Sequence, residues 1–238
     1  MSSDLLIPFL PLAAFLIIGI GSLAGRWMDQ NAHWIAVPAV AGSFAASAAA
    51  FFSVLQNGPR DLTLYTWGIS GGFQATLDIR LDGLTVAMLL LVTVVSSAVH
   101  LYTIGYMNGD RGYARFFAYL GLFTFSMIML VVARNLLQLY VFWEAVGLCS
   151  YLLIAHYYEK PASGHAAIKA FVVNRVGDFG CALGIFLIFD LVGSIDYDTI
   201  FERLPAHSGE VISVLGVPFN AITLIALLLF VGAVGKSA

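Results

Sequence analysis

The 238-residue chain is 60% hydrophobic and only 11% charged, with a mean hydropathy of +0.91, far outside soluble-domain averages. Its formal net charge of -3 and the lack of any basic run exclude nucleic acid as a partner. Its two cysteines, Cys149 and Cys181, each sit inside an apolar run, which excludes a disulfide framework or a cysteine metal site and reads as buried, inert thiols.

A hydrocarbon core of roughly 30 Å needs about 20 mostly apolar residues per helix, and the chain supplies such runs repeatedly. The stretch MSSDLLIPFLPLAAFLIIGIGSLAG lacks the positively charged start of a signal peptide and is followed by further spans, so it reads as a retained first helix. Helices are predicted near 5–24, 33–55, 82–106, 113–132, 135–157, 165–192 and from 218 onward. The fourth and fifth are separated only by Ala133, Arg134 and Asn135 and must form a tight antiparallel pair. Between the second and third spans, Phe73, Ala75, Leu77 and Ile79 alternate with Gln74, Thr76, Asp78 and Arg80 after Gly71-Gly72, predicting a short β-hairpin over 62–80. The segment after the sixth span, with Asp196, Asp198, Glu202, Arg203 and Glu210, reads as a wet acidic loop. Arg26, Arg111, Arg115 and Lys160 flank one face and Arg60, Arg80, Arg134 and Arg203 the other, so charge bias assigns no orientation.

Ionisable residues inside the spans carry the chemistry, because a charge at mid-bilayer costs about 2.5–3.5 kcal/mol even on the gentlest insertion scale. Glu144 falls near the middle of the fifth span, with Tyr140 and Tyr151 on the same helical face. Burial disfavours its carboxylate and a neighbouring cation favours it, so movement of that cation switches the group between binding and releasing a proton. In the sixth span Arg175 and Asp178 are placed to pair at i,i+3, either as a structural ion pair or as proton carriers. Lys169, one turn into that helix, is able to snorkel to the interface. The last span ends in ALLLFVGAVGKSA. A helix from 218 carries Lys236 roughly 27 Å along, near the opposite interface, while Gly232 and Gly235 permit a broken helix beside a wet cavity. His100, His156 and His165 lie within or near helix ends, where capping or interfacial roles are commoner than proton relay. The chain has no GxGxxG on a βαβ unit, no P-loop, no cysteine cluster for iron–sulfur centres and no pair of mid-membrane haem ligands.

The segments LDGLT (81–85), RFFAYLGLFTFSMIMLVVARNLLQLYVFWEAVGLCSYLLI (115–154), AAIKAFVVNRVGDFG (166–180) and VGAVGKSA (231–238) closely resemble the L-subunit family of respiratory complex I, NADH:quinone oxidoreductase, equivalent to mitochondrial subunit 5. The resemblance covers nearly the whole chain. It implies an all-α polytopic membrane protein of about seven transmembrane helices, with a β-hairpin between helices 2 and 3, forming the first part of an antiporter-like inverted-repeat fold. Residues 1–110 would hold helices 1–3 and the hairpin, and 111–238 an incomplete first repeat, helices 4–7, cut within helix 7. Members of this family run several hundred residues further, so the chain is expected to be a fragment.

The resemblance also implies site roles and setting. Glu144 and Lys236 would form the charged pair of a proton channel, with Arg175 and Asp178 tuning or connecting it and Lys169 and His156 as accessory polar groups. The family's lysine sits beside a break in the seventh helix, which moves Lys236 toward mid-membrane depth, and the N-terminus faces the periplasm or its equivalent. The chain itself would hold no cofactor; NADH, FMN, iron–sulfur clusters and quinone belong to partner subunits. Partners would be other membrane subunits, especially a neighbouring antiporter-like one, in the bacterial inner membrane or the mitochondrial inner membrane if organellar. The resemblance extends to the large subunit of multisubunit sodium/proton antiporters and to inorganic-carbon uptake systems, which remain the alternative. A non-transport role as an assembly or scaffold piece is a third possibility.

Overall fold

The computed structural model of the protein describes residues 3–24, 27–70, 73–214 and 216–237. A 3-10 turn, Ser3–Leu5, leads into α1 (Leu6–Ala24); a short helix α2 (Met28–Asn31) then precedes α3 (His33–Asn57). Strands β1 (Arg60–Ser70) and β2 (Phe73–Leu81) pair antiparallel and pass into α4 (Gly83–Tyr106). Next come α5 (Tyr113–Val131), α6 (Leu136–Ile154), α7 (Pro161–Val192), the short α8 (Tyr197–Arg203), a hairpin of β3 (Val211–Val214) and β4 (Val217–Asn220), and α9 (Ala221–Ser237). Six helices are long and apolar enough to cross a membrane; α9, with 17 residues, is apolar but shorter. The expected helices and the hairpin are therefore present, while the Gly71-Gly72 turn and Arg26 fall outside the described residues.

Lipid-facing helices invert the usual burial pattern. Large apolar side chains such as Leu23, Leu84, Val176 and Phe186 point outward, while small and polar ones fill the helix contacts. Ser43 and Ser47 of α3, Thr93 of α4 and Ser126 of α5 are all buried. Each hydroxyl returns its proton to a helix carbonyl, Ser43 to Ile7 O at 2.6 Å and Thr93 to Leu89 O at 2.7 Å, so none of these four hydroxyls is left unpaired. α5 sits centrally, packed by α1, α3, α4 and α6, and α7 pairs with α9 on the far side of α6.

Local chemistry fixes the ends. Asp82 caps α4 through the Thr85 N–H, and Asn135 caps α6 through the Gln138 N–H, each at 2.8 Å. Pro161 opens α7, and Gly193, at φ 72°, closes it in the left-handed conformation that glycine adopts without strain. The tight connection between α5 and α6 is bound on both sides by backbone. Arg80 N–H donates to Val132 O at 3.0 Å, Leu136 N–H to Ile195 O at 3.0 Å and Tyr197 N–H to Arg134 O at 3.2 Å. The fully buried Gln138 amide reaches from α6 to β2, accepting from Asp78 N–H at 2.8 Å and donating to Asp78 O at 2.9 Å.

Two expectations are corrected. The acidic segment after α7 is not a plain wet loop: Asp196 and Asp198 pair with Arg134, Asp198 also pairs with Arg80, and the chain continues as α8 and the β3–β4 hairpin. Nor does Gly232–Gly235 break the last helix, since α9 runs continuously through Lys236 to Ser237. These glycines serve close packing instead. A Cβ on Gly177 of α7 would stand 2.9 Å from the Gly235 Cα, and one on Gly232 would stand 2.6 Å from the Cys181 Cβ. Without side chains in the seam, the two backbones approach closely enough for dispersion contacts to hold them in lipid.

Candidate functional site

The α7–α9 seam sets the height of Lys236. By helical rise, Lys236 lies roughly 22 Å beyond the start of α9, and Trp143 roughly 10 Å into α6. At that level the Lys236 ammonium donates to the Trp143 carbonyl at 3.1 Å and stands 3.7 Å from Asp178 Oδ2. The lysine side chain, 16% exposed, is thus turned into the contact between α6, α7 and α9. Gly147, one turn beyond Trp143, makes room for it, because a Cβ there would fall 2.6 Å from Nζ.

Asp178 is the best-buried charge of the set, with its side chain 2% exposed. The Trp143 indole N–H donates to Oδ1 at 2.7 Å, and the Tyr140 hydroxyl to its main-chain oxygen at 3.4 Å. Its other oxygen, Oδ2, faces two cations, Lys236 at 3.7 Å and Arg175 at 3.8 Å. Arg175 in turn contacts the Glu144 carboxylate and lies over the Phe171 ring at 4.4 Å. The result is a row of alternating sign, Glu144–Arg175–Asp178–Lys236, spanning α6, α7 and α9.

This geometry revises one expectation. Glu144 and Lys236 are not direct ion partners among the described residues: Glu144 meets Arg175, and Lys236 meets Asp178. The cause is the tight α7–α9 packing, which brings the lysine over α7, while the Trp143 indole clamps Asp178 between the two cations. The Arg175–Asp178 contact expected from i,i+3 spacing is present. Lys169 lies on the exposed part of α7, away from the row. His156 is buried at the other end of α6, beside Asp110, roughly 18 Å along the axis from Glu144. His100 is not a cap. It is fully buried in α4, and its Nδ1 donates to Ser96 O at 2.8 Å, since a carbonyl can only accept.

Sequence reasoning missed Trp143, Gly147 and Gly177. The signal for Trp143 was available, because a buried indole N–H needs an acceptor and the residue adjoins Glu144. Gly147 and Gly177 gave none, since what they avoid is a clash with a helix distant in sequence.

A second charge group lies at the membrane edge, where Arg134 meets Asp61, Asp196 and Asp198, and Arg80 meets Asp82 and Asp198. Burial alone would lower the Arg80 pKa, but Asp198, Asp82 and Asp61 more than offset it, and the net shift is upward. Burial would likewise raise Asp82, yet the Thr85 N–H and hydroxyl and the Arg80 guanidinium hold it below its ordinary value.

Stacked membrane helices with a partly buried alternating charge row and an antiparallel hairpin fit the class of antiporter-like membrane subunits. The family described as "NADH:quinone oxidoreductase/Mrp antiporter, TM" matches residues 133–238, and that described as "NADH-Ubiquinone oxidoreductase (complex I), chain 5 N-terminus" matches residues 67–117. The chain is 46% identical over 236 residues to NADH-ubiquinone oxidoreductase chain 5 of Chondrus crispus, covering 98% of this chain and 35% of that protein. It is 51% identical over 194 residues to NADH-quinone oxidoreductase subunit L of Rhodobacter capsulatus, covering 79% of this chain and 27% of that one. Among solved structures, a chain of the Mrp complex from Dietzia sp. DQ12-45-1b superposes with a TM-score of 0.76 at 22% identity, over 98% of this chain and 24% of that chain. A chain of an archaeal membrane-bound sulfane sulfur reductase gives a TM-score of 0.71 at 17% identity, over 98% and 43% respectively. These last two likenesses speak to fold alone. The chain belongs to the subunit L/chain 5 family of NADH:quinone oxidoreductase, and it spans about a third of the length of the curated relatives it matches.

Proposed function

We propose that this chain forms part of the proton-translocating membrane subunit L of NADH:quinone oxidoreductase, with Glu144, Arg175, Asp178 and Lys236 as its proton-handling row. The observation that carries this reading is the row itself: ionisable groups of alternating sign shared by three helices, with Asp178 buried and the other three partly buried. Arg175 stays charged at any physiological pH, so it relays charge displacement without carrying a proton. When Lys236 withdraws from Asp178 or loses its proton, Asp178 draws Arg175 toward itself. Glu144 then loses its cation and binds a proton more readily; the reverse movement releases it.

In this reading the energy comes from electron transfer between NADH and quinone, with NADH, FMN, iron–sulfur clusters and quinone held by partner subunits. Residues 1–110 flank the first repeat, which begins at 111. The neighbours are other membrane subunits, one of them antiporter-like, in a bacterial inner or mitochondrial inner membrane. The test is Glu144→Gln in the intact complex. Proton uptake per NADH oxidised is expected to fall while NADH oxidation by a soluble electron acceptor persists; an assembled mutant complex that pumps normally removes Glu144 from the mechanism.

A second reading, a large subunit of a multisubunit sodium/proton antiporter or related ion or inorganic-carbon transporter, is supported by the family described as "NADH:quinone oxidoreductase/Mrp antiporter, TM", which matches residues 133–238. Under it, vesicles holding the full-length subunit and its partners exchange protons for sodium without NADH. Proton movement that requires NADH and ignores a sodium gradient decides for the first.

A further inference from the structure

The membrane end opposite the β1–β2 hairpin holds a cavity of about 400 Å³, where the α4–α5 turn meets the α6–α7 connection. Its walls bring together Arg111, Arg115 and Lys160 with Asp110 and Glu159. Asp110 is engaged by the Gly112 N–H at 2.7 Å and by His156 Nε2 at 3.2 Å. None of the three cations has a carboxylate within 4.0 Å among the described residues. Each of two is instead steadied by an aromatic ring, Arg115 over Tyr158 at 5.0 Å and Lys160 over Tyr157 at 4.7 Å. Arg115 also donates to His156 O at 3.0 Å. His156 lines the cavity with its side chain 3% exposed and its Nδ1 without a hydrogen-bond partner. Gly112 lets the ring approach, since a Cβ there would stand 2.5 Å from the His156 Cε1.

An independent feature lies further along the same two helices, α6 and α7. Leu148 and Tyr151 of α6 and Ile168 and Phe171 of α7 line an apolar groove of about 300 Å³. Exposed Tyr102, Tyr106, Tyr157 and Tyr158, with Trp27 and Trp34, mark this end as the lipid–water boundary. A cation-rich pocket at the boundary, with an apolar groove about one to three turns away along the helices that flank it, fits a negatively charged headgroup joined to an acyl chain.

We propose that this composite site binds an anionic phospholipid, its phosphate between Arg111, Arg115 and Lys160 and one acyl chain in the α6–α7 groove. The groove ends at Phe171, whose ring carries Arg175, so a seated chain covers the lipid side of the charge row.

The test uses the full-length subunit in its detergent-purified, delipidated complex, labelled with a phosphatidylglycerol carrying a photoreactive acyl chain. Mass spectrometry is expected to find the label on the groove residues, competed far better by unlabelled phosphatidylglycerol than by phosphatidylcholine. Combining Arg115→Gln with Lys160→Gln is expected to weaken labelling by at least about fivefold, the worth of one interfacial cation. Equal competition by phosphatidylcholine, or labelling unchanged in that variant, overturns the proposal. Protection by millimolar inorganic phosphate with no preference among lipids assigns the cavity to a free anion and also overturns it. Should the double variant fail to assemble, Glu159→Gln, which removes an exposed negative charge, is expected to strengthen labelling; unchanged or weaker labelling counts against the site.

Discussion

The protein builds two charge networks from the same residue types and places them in different solvents. At the hairpin end, Arg80 and Arg134 share Asp61, Asp82, Asp196 and Asp198, whose side chains are 30–52% exposed. At mid-span, Arg175 and Lys236 share Glu144 and Asp178, the latter 2% exposed. Water screens the first network, so each pair contributes little and removal of one partner is absorbed by the others. In the second, every charge is the chief solvation of its neighbour, and a change at one end is felt at the other. Ion pairs near water fasten parts together, whereas ion pairs in hydrocarbon are coupled strongly enough to serve the proposed relay.

The largest test of this contrast is Asp178→Asn. It leaves Arg175 and Lys236 facing each other without their shared anion and is expected to destabilise the subunit by about 3–5 kcal/mol. Thermal unfolding of the complex in detergent measures it, and adding Lys236→Met should recover much of the loss. Recovery failing to appear would mean that the two residues do not interact. Gly177→Val comes next: its Cβ would meet the Gly235 Cα at 2.9 Å and the Val231 carbonyl at 3.1 Å, both backbone. The expected loss is about 1–3 kcal/mol, with weaker cross-linking between cysteines placed on α7 and α9.

Arg134→Gln, in the wet network, is expected to lower stability by no more than about 1 kcal/mol, and high salt should erase most of the difference. A salt-independent loss matching that of Asp178→Asn would dissolve the contrast. The smallest effect concerns Asp82, whose pKa lies below its ordinary 3.8. Its charge therefore stabilises the fold above that value, and the contribution is lost as pH falls through the folded pKa. Asp82→Asn keeps a capping oxygen, so the wild-type advantage should be about a few tenths of a kcal/mol at neutral pH and fade as pH falls through the lowered folded pKa.

How much of this was legible beforehand depends on whether the deciding contact is local. The hairpin was written in the alternation from Phe73 to Arg80, and the spans in runs of apolar residues bounded by Asp82, Asn135 and Gly193. The β3–β4 hairpin also had a signal, two β-prone runs around Gly216 at φ 84°, obscured by the acidic residues preceding it. Arg175 with Asp178 followed from helical spacing. What could not be read was which helix faces which. Gly232 and Gly235 looked like a place for α9 to break because nothing in the sequence states that Gly177 lies opposite. Glu144 looked like the partner of Lys236 because the intervening Arg175 and Asp178 are brought between them only by that same packing.

The backbone bonds that hold the α5–α6 connection at Val132, Arg134 and Leu136 have a mechanical consequence. They rivet the foot of α6 to the sheet, and Gln138 adds a brace a few residues above, so Glu144 is carried on a stator. α7 and α9, interlocked along their glycine seam, form the complementary slider: a thrust delivered to either helix displaces both. A shear between these two bodies would change the reach from Arg175 to Glu144 and, with it, the bonds that Trp143 of α6 makes to Asp178 and Lys236. Under the proposed function, the α6–α7 interface is the joint at which movement of the helices would change the pairing of the charges.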